Sequence, residues 1–241
     1  MANFIDLHCH WLPGIDDGAP TVEEGLGMLV GLRLLGFELV IATPHMRPGL
    51  FDNDREALTQ AYARVAPHVA KRAGTPQVEL SSEHYFDDVV ITRLRSGHGL
   101  PYPGGHAVLL EFYDIDFPIA VDHQLAELRR LGILPVIAHP ERYQIVWRKP
   151  EVLERLVDVG AATLLDVAAL AGKYGRQPRR SAEQLLEAGV YHAACSDAHR
   201  VRDLRDVERG MELIAKRYGD EELDLLFDDG PRQLLAGRIP E

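Results

Sequence analysis

The chain has 241 residues, a length at which an α/β barrel runs as one unit, so a single domain over residues 1–241 is expected. Hydrophobic residues make up 46% and charged residues 26%, enough for a large core, and no apolar run reaches the roughly 18 residues of a membrane span. The formal charge of −11 repels phosphate backbones and argues against nucleic acid as a partner.

In chain order, short and nearly continuous apolar runs fall at 4–7, 39–42, 78–80, 107–110, 134–138, 163–167 and 191–195, as strands buried on both faces should read. Helical patterns fill the intervals at 22–35, 54–72, 120–131, 151–159, 181–188 and 204–218. Thr21 with Glu24 forms a capping box ahead of the first of them. Gly36, Gly132, Gly160 and Gly189 each stand just past a helix and before a strand, where a left-handed cap belongs. Strand and helix alternate throughout, so the strands should be parallel. The expected fold is a seven-stranded (β/α) barrel related to the TIM barrel, with an open doubly wound sheet as the alternative. The Gly- and Pro-rich stretch 97–105 reads as a loop near the site; Tyr102 in it is a candidate for substrate contact, with an ordinary connection the preferred reading.

The residues at the strand ends carry the chemistry. Strand one runs into His8-Cys9-His10, and the second ends at His45. Glu83 comes after the third and Glu111 ends the fourth. The fifth leads to His139-Pro140-Glu141-Arg142, and the last to Ser196-Asp197-Ala198-His199. In a parallel barrel such positions gather on the C-terminal face. His-x-His on a strand puts both imidazoles on one side and Cys9 on the other. Imidazole and carboxylate ligands without thiolates suit Mn, Fe or Zn, and a divalent ion so held lowers the pKa of bound water to about 7. A single strand-end histidine is more often a hydrogen-bonded turn residue, the reading given to His68, His84, His98, His106, His123 and His192. Glu83 or Glu111 alone could equally be a buried carboxylate paired with arginine. Six strand ends in agreement argue for a shared basin.

Other chemistries are excluded. Val201 stands six positions beyond Cys195 and Ile15 six beyond Cys9, where the cysteine-dependent phosphatases carry arginine. Lys71, Lys149, Lys173 and Lys216 all miss the strand ends, so a lysine bridging two metals is not expected. Two cysteines are too few for a disulfide framework, and the opening Met-Ala-Asn-Phe-Ile-Asp lacks the features of an export signal; a cytoplasmic setting is expected.

The run Ile5-Asp6-Leu7-His8-Cys9-His10, with Leu12-Pro13-Gly14-Ile15-Asp16-Asp17-Gly18 after it, resembles the polymerase and histidinol phosphatase (PHP) family. Within it, the chain more closely resembles the bacterial manganese-dependent protein-tyrosine phosphatases of capsule and exopolysaccharide synthesis. The likeness continues through Ala42-Thr43-Pro44-His45, Glu83, Leu109-Leu110-Glu111-Phe112, Val136 to Tyr143, Ser196 to His199, Leu226-Phe227 and Gly230-Pro231. It implies a distorted barrel of PHP type with three divalent ions. His8, His10, Glu83 and Asp197 would hold the first; Glu83 would bridge to a second on Glu111 and His139; Asp17, His45 and His199 would hold the third. Asp16 competes with Asp17, which stands directly before glycine as the family pattern prefers. Arg142 matches a phosphate-binding arginine; its structural alternative is an ion pair with Glu141 or another acid. The family loop that ends in Arg-Pro-Pro is absent, and Arg202 and Arg205 are both open as its replacement.

The implied activity is metal-dependent hydrolysis of phosphotyrosine on a partner protein, a tyrosine kinase of polysaccharide export. Histidinol phosphate or another small phosphate ester is the alternative substrate of the same fold, DNA ends a third, and a metal-holding scaffold the reading from outside enzymology. Nothing in the sequence marks an oligomer surface.

Overall fold

The computed structural model describes residues 3–240. Nine strands are assigned among them: β1 Phe4–Cys9, β2 Phe37–Ala42, β3 His45–Met46, β4 Gln77–Leu80, β5 Glu83–Tyr85, β6 Ala107–Glu111, β7 Leu134–Ala138, β8 Ala162–Asp166 and β9 Ala193–Cys195. Every pairing between them is parallel, in the orders β1-β2-β4 and β3-β5-β6-β7-β8-β9. The split into two sheets has a local cause. Thr43-Pro44 separates β2 from β3, and Ser81-Ser82 separates β4 from β5. Proline offers no N–H to a ladder, and the hydroxyl of Ser82 donates to the Pro44 carbonyl at 2.8 Å in place of a regular rung. If each interrupted pair is followed as one stave, seven staves run round the barrel. The ends meet where Cys9 bridges Ala198 and the Asp197 N–H donates to the His8 carbonyl at 2.9 Å.

The interior is filled by alternate strand residues, Ile5 and Leu7, Ile41, Leu109, Val136, Leu164 and Cys195. The opposite faces, including Val40, Leu110, Ile137 and Leu165, pack outward against the helices. The expectation of strands buried on both faces fails at β4, where Gln77 and Glu79 are exposed at a sheet edge. Tyr102 is buried in the interior cluster and its hydroxyl donates to the Leu7 carbonyl at 2.9 Å. It packs the barrel and does not line the basin, because residues 97–105 lead into β6 from its opposite end.

Helices connect the strands much as the periodicity predicts, from Val22–Leu34 through Arg55–Lys71 to Leu204–Tyr218. Thr21 accepts from the Glu24 N–H at 3.2 Å, and Gly36, Gly132, Gly160 and Gly189 all take positive φ. The helix expected at 181–188 begins earlier, at Arg176. Pro178 sits in its first turn, where the missing donor costs no helical hydrogen bond. No helix among the described residues is long and apolar enough to cross a membrane.

Candidate metal centre

The register of β1 against β2 shifts between Asp6 and Cys9. The shift changes which alternate residues face inward: Ile5 and Leu7 fill the interior, whereas Cys9 packs in the outer core. Bulges re-aim side chains in this way beside functional sites. His8 and His10, on either side of Cys9, reach Glu83 and Asp197, and both are fully buried. His45 opens β3, Glu83 opens β5 and Glu111 ends β6. His139 comes directly after β7 and Asp197 lies two residues beyond β9; their φ values of 35° and 41° are the two positive ones among described residues other than glycine. Such backbone is costly away from glycine and persists where its surroundings enforce it.

All nine expected ligand residues converge. Glu83 is at the centre, with Oε1 2.9 Å from His139 Nε2 and 3.3 Å from His8 Nε2, and Oε2 2.9 Å from His45 Nδ1 and 3.5 Å from His10 Nε2. Asp197 Oδ1 lies 3.2 Å from His8 and 3.4 Å from His10. Asp17 Oδ1 lies 3.4 Å from His45 Nε2 and 3.5 Å from His199 Nε2. Four overlapping groups have the spacing of a metal site: His10, Asp17, His45 and His199; His8, His10 and Asp197; His8, Glu83 and His139; His45, Glu83 and Glu111. The grouping differs in one respect from the one the resemblance implies. Glu111 and His139, expected on one ion with Glu83, fall in separate groups that share Glu83.

The residues fit divalent ions. His8 Nε2, His10 Nε2, Glu111 Oε2 and Asp197 Oδ1 are buried without a hydrogen bond, a costly state for polar atoms unless something coordinates them. The far nitrogens of three of the histidines, by contrast, are anchored: His8 Nδ1 to Thr43 Oγ1 at 2.6 Å, His10 Nδ1 to Asp16 Oδ2 at 2.8 Å and His199 Nδ1 to the Asp197 carbonyl at 3.0 Å. Anchoring one ring nitrogen fixes the tautomer and aims the other, the arrangement metal-binding histidines use. Asp16 thus orients His10 and also accepts from the His45 N–H at 3.0 Å, while Asp17 faces the basin. Thr43, and Asp6 with Ser196 beneath the basin, were not singled out by the sequence. The Asp6 carboxylate accepts from the N–H groups of His8 and Ser196, at 3.2 and 3.0 Å, and ties the two ligand-bearing strand ends together.

The electrostatics are those of a crowded acid–imidazole cluster. Burial pushes Glu111 up to about 8, with the charge of Glu83 adding to it. Burial also raises Glu83 and Asp197, but the histidines around them outweigh it and hold both well below the usual carboxylate range. Burial would lower His45, yet Glu83 and Asp17 raise it to about 10. For His139 burial wins, with Arg142 adding to it, and its value falls to about 4.

Arg142 forms the ion pair its structural alternative allowed, with Asp197 in place of Glu141. Its Nη1 lies 2.6 Å from Asp197 Oδ2, and its guanidinium stacks on Tyr174 at 4.7 Å. Glu141 turns inward to the Asp166 N–H and the Tyr191 hydroxyl. Arg202 and Arg205 are exposed and neither lines the basin. Arg200 instead donates to the carbonyls of Asp17, Gly18 and His199, bracing the loop that carries Asp17. A cation that sequence reasoning missed is Arg47, which lines the cavity with Nη1 3.9 Å from Glu111 Oε2. Its signal was available, since Arg47 is two residues from His45 and alternate residues share a side. The histidines assigned to ordinary packing include His84, whose Nε2 accepts from the Leu100 N–H at 3.0 Å, and His192, whose Nδ1 accepts from the Thr163 N–H at 3.1 Å. Asp17, His45, Arg47, Glu83, Glu111, His139, Arg142, Asp197 and His199 border a cavity of about 280 Å³, with His8 and His10 outside its lining.

Fold and basin define the class: a parallel α/β barrel of the metallohydrolase type, with an imidazole–carboxylate cluster at its C-terminal mouth. Within that class, the chain belongs to the family described as capsular polysaccharide synthesis, CpsB/CapC, whose model matches residues 4–236. It is 30% identical to the tyrosine-protein phosphatase YwqE of Bacillus subtilis (strain 168), over 97% of this chain and 92% of that one. It is 25% identical to the tyrosine-protein phosphatase CpsB of Streptococcus pneumoniae, over 98% and 99%. A structure from a study of YwqE and CpsB, described there as unique metal-dependent tyrosine phosphatases, superposes with a TM-score of 0.88 at 29% identity, covering 98% of this chain and 96% of the other. A phosphotriesterase homology protein from Escherichia coli shares the fold, at a TM-score of 0.57 and 13% identity, covering 97% of this chain and 99% of that one.

Proposed function

We propose that this chain, acting as one domain over residues 1–241, is a metal-dependent phosphomonoesterase that removes phosphate from tyrosine on a partner protein. The observation that carries this reading is the convergence of imidazoles and carboxylates around Glu83, with Arg142 beside Asp197 at the same mouth. The likeness to tyrosine-protein phosphatases over nearly the whole chain supports the choice of substrate. The partner is a tyrosine kinase of capsular or exopolysaccharide assembly, and the setting is cytoplasmic. Three divalent ions are held, manganese in the first place with iron or zinc as alternatives.

His8, His10, Asp17, His45, Glu83, Glu111, His139, Asp197 and His199 would hold the ions. Bound divalent ions supply Lewis-acid activation of water and positive charge for phosphoryl oxygens. Thr43 and Asp16 keep His8 and His10 in the tautomer that presents Nε2 to the basin. Arg142 binds and orients the phosphate with its planar fork. Tyr174 and Asp197 hold that fork in place before substrate arrives, which lowers the entropic cost of positioning. Tyrosine leaves readily among hydroxyl side chains, its pKa being about 10. The residues are therefore asked chiefly to neutralise and align the phosphate.

Turnover of a phosphotyrosyl peptide by purified protein supplemented with manganese tests this reading. Phosphate release that a chelator abolishes and manganese restores is the expected result. A folded, manganese-loaded protein that releases none would overturn it.

A further inference from the structure

Two of the large apolar side chains most open to solvent, Leu50 and Tyr113, at 60% and 56% exposure, border the polar basin. A site for the phosphate group alone has no use for them. Leu50 belongs to a tight turn in which Arg47 and Phe51 exchange backbone hydrogen bonds, Arg47 N–H to the Phe51 carbonyl at 3.1 Å and the reverse at 2.8 Å. Gly49 takes φ +82° at its tip, and its N–H is held by Asp52 Oδ1 at 2.7 Å. The turn is thus a braced element whose closing rung carries two basin residues. Phe51 stacks flat on His45, with ring centroids 5.2 Å apart and planes 5° from parallel. Arg47 lies over the Tyr85 ring at 4.1 Å. Tyr113 faces the same cavity from the loop after β6.

The two arginines stand at opposite ends of the acidic row. Arg47 is beside Glu111, Arg142 is beside Asp197, and Glu83 lies between, linked to one through His45 and to the other through His8. A tetrahedral anion between those ends is met by a guanidinium on each side. Whatever is esterified to it extends toward solvent, where Leu50 and Tyr113 are the exposed apolar side chains of the lining and Phe51 adjoins Leu50. Flat aromatic and branched aliphatic surfaces complement a planar ring.

We propose that the Arg47–Phe51 turn and Tyr113 form a slot for the aromatic ring of the phosphorylated side chain, and that Arg47 is the second phosphate-binding cation, opposite Arg142. The proposal rests on the phosphotyrosine reading above and adds the residues that select an aryl ester over an alkyl one. Arg47 takes the part for which Arg202 and Arg205 are badly placed.

The test is calorimetric binding of two non-hydrolysable probes, phenylphosphonate and methylphosphonate, to the manganese-loaded protein. Wild type should bind the phenyl compound roughly tenfold more tightly, the factor given by partial burial of one ring. Leu50→Ser with Tyr113→Ser should bring the ratio close to one. Arg47→Met should weaken both probes by a similar factor and leave the ratio in place. Equal affinity of the wild-type protein for the two probes overturns the slot whatever the variants do, and so does a ratio untouched by the double substitution. Weakening of neither probe by Arg47→Met overturns the role of the cation. Phosphotyrosyl turnover without the phenyl preference would remove the slot and keep the activity; the preference without turnover would do the opposite.

Discussion

His10 Nδ1 lies 2.8 Å from Asp16 Oδ2, and this one contact separates the tasks of two consecutive aspartates. Asp16 is spent on His10, on the Gly18 N–H and on the His45 N–H, so its carboxylate faces away from the basin. Asp17 is left facing His45 and His199.

Asp16→Asn should therefore act at a distance. It keeps the size of the side chain but removes the charge that orients His10, and losses of this kind typically weaken metal binding by about 10–100-fold. Asp17→Asn should instead lower the number of ions bound. Metal titration of the two variants followed by elemental analysis distinguishes a weaker full complement from a smaller one.

Arg142→Ala should reduce kcat/KM for a phosphotyrosyl peptide by about 10²–10³-fold, the range for loss of one preorganised donor to a charged transition state. Arg142→Lys should recover only part of this, because an ammonium cannot reproduce the fork that both contacts Asp197 and stacks on Tyr174. Steady-state kinetics of both variants check the order, alanine below lysine below wild type.

The cysteines should be dispensable. Cys9 and Cys195 are fully buried, and burial pushes both thiols well above their ordinary value, so neither presents a thiolate. Cys9→Ala and Cys195→Ala should retain turnover to within about twofold, and iodoacetamide should leave the native protein active. Rapid loss of activity on alkylation would point to a different nucleophile.

Glu141 gives the fold a pH dependence of its own. Burial, with the charge of Asp166 adding to it, raises its carboxyl from 4.5 to about 8. The folded state then holds a proton that the unfolded state has released. The contribution is complete below pH about 4.5 and is lost as pH rises through about 8, up to roughly 4 kcal/mol over that window. Glu141→Gln cannot ionise, so its stability relative to wild type should improve steadily as pH rises from 5 to 8. Urea unfolding of the chelator-treated proteins across that range measures the difference; a constant difference would contradict it.

Much of this was legible in the chain because strand-end residues keep their meaning in a parallel barrel. Once the apolar runs at 4–7, 107–110 and 134–138 are recognised, topology dictates the positions of His8, Glu111 and His139. The parts that were not legible have physical reasons. Breaks at Thr43-Pro44 and Ser81-Ser82 divide two staves, and a propensity pattern does not say whether a strand resumes after a break. The register of β1 against β2 shifts between Asp6 and Cys9, a break in regular pairing that an alternating apolar pattern does not announce. Arg47 was overlooked since a charged residue in a turn looks solvated until the rung to Phe51 closes it over Tyr85. Arg200 reads from sequence like its neighbours Arg202 and Arg205; only folding brings it against the carbonyls of Asp17 and Gly18.

The most direct test is anomalous scattering from crystals grown with manganese, collected on both sides of the metal edge. Three peaks within coordination distance of the side chains around Glu83, touching His8, His10, Asp17, His45, Glu111, His139, Asp197 and His199 among them, are the predicted result. Density free of anomalous signal in that basin, in crystals whose protein hydrolyses phosphotyrosine, would contradict the metal-centred mechanism at its root.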